Sequence, residues 1–176
     1  NDAEHREFEA QTATEKAQKF LAAGEEAETE TVELVKNGTF EEGSDGWTGF
    51  EKGEIEVVSA DNGSGAGPNK VLRVKNRKNA SSSAMYDLTG NLKKGTTYNI
   101  KFKMKYDGEN VVGEKVFSVR FQNGPDYQYR PLVQNITLQK GVWQEFEMTY
   151  TAGDNGNFAF GTDKNYFYIE NKDFKD

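Results

Sequence analysis

The stretch Thr96-Thr97-Tyr98-Asn99-Ile100-Lys101-Phe102-Lys103-Met104-Lys105-Tyr106 alternates without a break. Tyr98, Ile100, Phe102, Met104 and Tyr106 fall on one side; Asn99, Lys101, Lys103 and Lys105 fall on the other. A period of two is the signature of a strand with one face in a core and one in water. WQEFEMTY at 143–150 repeats the pattern, with Phe146, Met148 and Tyr150 inward and Glu145, Glu147 and Thr149 outward. The lysine and glutamate rows are solvated faces that can pair across neighbouring strands, each pair contributing little alone.

Outward from these two strands, runs of β-branched and aromatic residues recur from Val32 onward, separated by Gly, Asn and Asp clusters such as Asp61-Asn62-Gly63-Ser64-Gly65 and Asn123-Gly124-Pro125-Asp126. The spacing, roughly ten residues, predicts strands at 32–35, 54–59, 70–75, 82–88, 97–106, 115–122, 127–138, 144–150, 157–161 and 166–170. The fold class is therefore all-β, a two-sheet antiparallel β-sandwich over 32–176. Residues 1–31 differ in texture: Ala, Glu, Gln, Thr and Lys dominate, and Phe8, Ala13, Ala17, Phe20 and Leu21 form a narrow stripe at helical spacing. Gly24 offers a stop and EEAETET at 25–31 an acidic linker, so 1–31 reads as a helical or flexible extension, either a tether or a docking helix. Trp47 and Trp143 sit beside turn residues and are expected to plug the ends of the sandwich.

Composition removes whole classes of function. The 176 residues carry 22 Lys and Arg against 29 Asp and Glu, a formal charge of −7 that repels phosphate backbones and anionic lipid. Neither nucleic acid nor membrane is expected as a partner. There is no cysteine and a single histidine, His5, which leaves no thiolate chemistry, no Cys-based metal site and no Ser-His triad. A glycosidase built on two facing carboxylates would need a pair the sequence does not present, since Asp and Glu concentrate in the extension, the turns and the outer faces. No phosphate-cradling glycine motif appears either. The chain reads as a binding protein without catalytic residues.

The stretch FSVRFQNGPDYQYRPLVQNITL at 117–138 carries the chemistry. With Phe117, Val119 and Phe121 inward, Ser118, Arg120 and Gln122 turn to the opposite face. Leu132, Ile136 and Leu138 set the inward parity of the return strand, which sends Tyr127, Tyr129, Pro131 and Val133 outward. A four-residue loop at 123–126 would set Gln122 against Tyr127 and Arg120 against Tyr129. Arg130 breaks the parity, so a bulge or a frayed strand start is expected to bring it to the same surface. Aromatic rings left in water invite a partner, and a pyranose suits them: its axial C–H groups stack on a ring while its hydroxyls bond planar Arg and Gln groups. Tyrosines that merely cover a sheet edge are the alternative.

ELVKNGTFEEGSDGWTGF (33–50), NKVLRVKNR (69–77), AMYDLTGNLKKGTTYNIKFKMKY (84–106), GVWQEFEMTYTAG (141–153) and NYFYIENKDF (165–174), in that order, resemble the carbohydrate-binding modules of xylanases and related glycanases, families 4, 9 and 22 and the xylan-binding family 86. The resemblance implies a jelly roll whose concave sheet, from 82–88, 115–122, 127–133 and 157–161, holds a β-linked plant polysaccharide such as xylan. It implies a monomer, extracellular or on the cell surface, that targets an attached catalytic domain. Tyr127 and Tyr129 would stack on the sugar; Arg120, Gln122 and Arg130 would bond its hydroxyls. Two departures stand out: Ser81 occupies the place of a usual stacking tryptophan, and Ala159 and Gly161 stand where an acidic or histidine ligand residue is common. The resemblance also implies a structural calcium held by Glu41, main-chain oxygens near Thr39 and Lys70, and Glu170, where Asp is usual. A cell-surface adhesion domain with a protein partner would use the same sandwich.

Overall fold

The computed structural model describes residues 12–19, 28–62, 64–65, 67–108, 112–124, 130–154, 159–161 and 163–171, with 12–19 and 28–30 described by their strand backbone. Eleven strands form among them: β1 Thr12–Lys19, β2 Glu28–Glu33, β3 Trp47–Phe50, β4 Glu54–Asp61, β5 Pro68–Lys75, β6 Ser83–Asp87, β7 Thr97–Met104, β8 Glu114–Asn123, β9 Leu132–Gln139, β10 Gln144–Thr151 and β11 Asn165–Glu170. One sheet runs β10-β7-β1-β2, the second β3-β6-β11-β8-β9, and β4 and β5 form a two-stranded ribbon; the strand pairs in all three are antiparallel.

The alternation that fixed the inner faces holds. Tyr98, Ile100, Phe102, Met148 and Tyr150 are buried from the first sheet, and Phe117, Val119, Phe121, Phe167 and Ile169 from the second, in one continuous core. Phe121 stacks on Tyr150 across the sandwich, ring centroids 4.2 Å apart and 17° from parallel, and Asn123 Nδ2 donates to the Tyr150 hydroxyl at 2.8 Å. On the water side, β7 and β10 set Lys101 opposite Glu147 and Lys103 opposite Glu145, as the two rows required. Trp47 lies in the core as expected, edge-on to Tyr86 at 5.1 Å. Its approach depends on Gly46, whose φ is +84° and whose added Cβ would stand 2.8 Å from Tyr86 Cε2.

Three expectations need correction. The helix read within 1–31 gives way, at 12–19, to β1, which pairs with β7 from Thr12 opposite Lys101 to Glu15 opposite Tyr98. Main-chain bonds along an otherwise open sheet edge outweigh a stripe too narrow to hold a helix. Trp143 is only half-buried: its indole Nε1 donates to Asp61 O at 2.7 Å and Lys105 Nζ lies 5.3 Å above its ring. The strand expected at 157–161 is absent at 159–161, the part within the described residues, and β3 takes the edge of the second sheet instead.

Candidate functional site

The outward face of the five-stranded sheet is built by register. Tyr168 on β11 lies opposite Met85 on one side and Arg120 on the other; Tyr166 stands between Asp87 and Gln122; Glu170 faces Ser118. On the far edge Phe50 is opposite Ser83. Because Phe167 and Ile169 point into the core, Tyr168 and Glu170 must point out. The centre of this face is a compact aromatic and ionic cluster. The rings of Phe50 and Tyr168 meet at 4.7 Å and 45°, and Arg120 Nε lies 2.7 Å from Glu170 Oε1. Ser81 Oγ donates to Glu170 Oε2 at 3.1 Å, so the serine at the place of the expected tryptophan serves to hold a carboxylate. Arg120 Nη1 donates to Arg130 O at 2.9 Å, and the Arg130 guanidinium sits 5.9 Å above the Phe50 ring.

This face is polar and yet buried, with Glu170 only 5% exposed, Gln122 1% and Tyr168 0%. The buried Tyr168 hydroxyl has Arg130 as its partner, whereas both amide atoms of Gln122 and the Ser83 hydroxyl are buried with no hydrogen bond among the described residues. Each such group forfeits its hydration without replacement, at a cost of about 1–3 kcal/mol. Burial pushes the Tyr168 phenol up to about 12, the Glu170 charge adding to the rise and the Arg130 and Arg120 guanidiniums opposing it. The cluster thus holds unused donors and acceptors beside flat rings and a fixed ion pair.

The residues singled out in the sequence meet different fates. Arg120 and Gln122 stand on the outward face as alternation required, but Gln122 is buried, not open. Arg130 reaches the cluster, and the irregularity suspected there exists. The β8–β9 pairing shifts between Val119 opposite Gln134 and Arg120 opposite Leu132, leaving Val133 as the extra residue. The shift reverses the parity assumed for the strand start: Leu132 is 47% exposed and Val133 packs against the core. It also removes the register of a four-residue loop, since Arg120 opposes Leu132 and not Tyr129. Tyr127 and Tyr129 lie outside the described residues. Tyr168, Phe50 and the partnership of Arg120 with Glu170 were not foreseen. The signal was faint, because Tyr166, Phe167, Tyr168 and Ile169 are all aromatic or aliphatic and show no alternation.

The calcium donor set does not assemble in the way the resemblance implies. Lys70 Nζ donates to Glu41 O at 3.1 Å and stands 3.4 Å from Glu41 Oε2, an ammonium where a divalent ion would need room. Glu170 is engaged elsewhere, by Arg120 and Ser81. Among the described residues no group of three or more Asp, Glu or His converges.

No curated protein sequence matches the chain. Among solved structures, the second family 22 xylan-binding domain of Paenibacillus barcinonensis Xyn10C superposes with a TM-score of 0.59 at 23% identity, covering 76% of this chain and 81% of that one. The first such domain of the same protein gives 0.60 at 20%, covering 78% and 83%. The family 22 and family 10 modules of Clostridium thermocellum Xyn10B, solved with xylohexaose, give 0.57 at 20%, covering 76% of this chain and 25% of that longer one. At these identities the likeness establishes the shared β-sandwich fold. The family of carbohydrate binding domains, CBM_4_9, matches residues 32–170. With a two-sheet sandwich, a buried polar cluster on the outward face of one sheet and that match along most of its length, the chain belongs to this family of non-catalytic carbohydrate-binding modules.

Proposed function

We propose that the chain holds xylan or xylo-oligosaccharides on the outward face of the five-stranded sheet and thereby targets an attached glycanase to its substrate. The observation that carries this reading is the cluster of Arg120, Glu170, Gln122 and Tyr168 beside Phe50, in which buried polar groups lack partners next to rings able to stack. A pyranose supplies what Gln122 lacks, hydroxyls that donate to its Oε1 and accept from its amide. Arg120 and Glu170 hold each other in place, so little rotamer entropy is left to lose on binding. Arg130 lies over Phe50, and a sugar ring stacking there has to take its place.

Tyr127 and Tyr129, which lie outside the described residues, are the stacking residues the sequence suggests. The xylan-binding relatives of Paenibacillus barcinonensis and the xylohexaose complex of Clostridium thermocellum support the choice of glycan, and the family 10 module in the latter supports an attached catalytic domain. The protein works outside the cell, as a monomer, with no catalytic activity of its own. Binding is weak, in the millimolar-to-micromolar range expected of a few stacking and hydrogen-bonding contacts. Affinity electrophoresis against soluble xylan, mannan, β-glucan and hydroxyethyl cellulose tests the reading. Xylan is expected to retard the protein most and to yield no new reducing ends; equal retardation by mannan, or none by xylan, would overturn it.

A further inference from the structure

A cleft of about 760 Å³ opens away from this cluster, between β5 and the C-terminal end of β7. Neither Tyr168, Arg120, Glu170 nor Gln122 lines it. Among the described residues β4 and β5 pair only with each other, and β1 pairs with β7 as far as Lys101. The volume lies within the range of small-molecule sites, roughly 300–1,000 Å³. Val58, Val71 and Met104 give it an apolar floor, and Trp143 forms one wall.

Its charge runs against that of the whole chain. Arg73, Lys75, Lys103 and Lys105 line the cleft, and Asp107 is the one carboxylate to do so among the described residues. Arg73 and Lys75 share the single carboxylate of Glu56, at 3.2 Å and 2.9 Å. Lys103 and Lys105 have no carboxylate partner among the described residues: Glu145, opposite Lys103, lies 3.6 Å from Lys101 Nζ instead, and Lys105 Nζ rests over the Trp143 ring. Both lysines are half-buried, so a carboxylate reaching them meets a stronger field than at an open surface. The indole is fixed by its bond to Asp61 O, which keeps a flat apolar wall next to the two cations.

We propose that this cleft is a second carbohydrate site, for a carboxylated pyranose: Lys103 and Lys105 receive the carboxylate of a uronate and Trp143 borders the sugar ring. The inference rests on the carbohydrate-binding reading for the class of ligand and is independent of the outward face for its location. The uronate can come as a side group on xylan or as the backbone of an acidic polysaccharide, and the probes separate the two. Isothermal titration with undecorated xylohexaose, a glucuronic-acid-substituted xylo-oligosaccharide and trigalacturonate is compared for the wild-type protein and the pair Lys103→Met and Lys105→Met, which keeps the apolar stems. The substituted oligosaccharide is expected to bind about three- to fivefold more tightly than xylohexaose at low salt, the fold-change of one or two partly exposed ion pairs. The advantage should vanish in roughly 0.5 M NaCl and in the double variant, while xylohexaose affinity stays unchanged. Lysine-dependent binding of trigalacturonate would establish the site with a backbone uronate as its source. Equal affinity for charged and uncharged xylo-oligosaccharides with no trigalacturonate binding, or an advantage that survives both lysine substitutions, would overturn the proposal. Failure of xylohexaose alone to bind would count against the outward-face reading and leave the trigalacturonate result to judge the cleft.

Discussion

The two faces of the β8–β11 pair share one backbone and differ in almost every physical respect. Inward, Val119, Phe121, Phe167 and Ile169 are apolar and buried against the other sheet. Outward, Gln122, Tyr168 and Glu170 are nearly as buried and Arg120 is half-buried, yet they carry charges, an amide and a phenol, and both amide atoms of Gln122 have no partner among the described residues. Packing explains the first face fully. The second costs stability as it stands, and the proposed glycan would offset that cost.

Substitutions can break or sharpen that contrast. The largest effect should come from the inner face: Phe121→Ala removes a ring stacked on Tyr150 and is expected to cost about 3–5 kcal/mol in denaturant unfolding. Next is Arg120→Ala, which leaves Glu170 buried without its cation. A loss of about 2–3 kcal/mol is expected, below the full value for a buried pair because Arg120 keeps some contact with water, and xylan retardation should disappear. Replacing both partners, Arg120→Met with Glu170→Met, should restore much of the stability and none of the binding. A double variant as unstable as the single one would show that the pair serves the fold. Tyr168→Phe deletes a buried hydroxyl whose partner is Arg130, so unfolding should shift by about 1 kcal/mol in the destabilising direction, while xylo-oligosaccharide affinity falls.

The smallest effect concerns pH. With the Tyr168 phenol raised from 10.0 to about 12, its contribution is fully present below pH 10 and is lost as pH climbs toward 12, since the unfolded chain ionises first. Melting temperatures between about pH 9 and 11.5 should fall more steeply for the wild type than for Tyr168→Phe. Parallel curves would remove the burial argument for that hydroxyl.

What the sequence disclosed was whatever a period of two controls. β7 and β10 alternate so cleanly that their inner faces and their lysine and glutamate rows could be assigned residue by residue. The outward placement of Arg120 followed from Phe117, Val119 and Phe121 in the same way. The break in parity at Arg130 announced an irregularity, but its position at Val133 was beyond reach, because no residue type marks where a bulge falls. β11 was illegible for a different reason: Tyr166 to Ile169 are all apolar or aromatic, and only pairing with Gln122, Phe121 and Arg120 settles which rings look outward. The pairing of β1 with β7 was equally hidden, because strand addition depends on an available edge and not on the local propensity of TATEKAQK.

The central claim is that the glycan meets the outward face of β8 and β11. Nuclear magnetic resonance of the arginine Nε–H groups during titration with xylohexaose reads that face at its ion pair. The Arg120 Nε–H signal is predicted to shift in proportion to bound sugar, with the Tyr168 and Gln122 amides moving alongside. Saturable binding that leaves all three unmoved, with the changes confined to β7 and β10, would contradict the account.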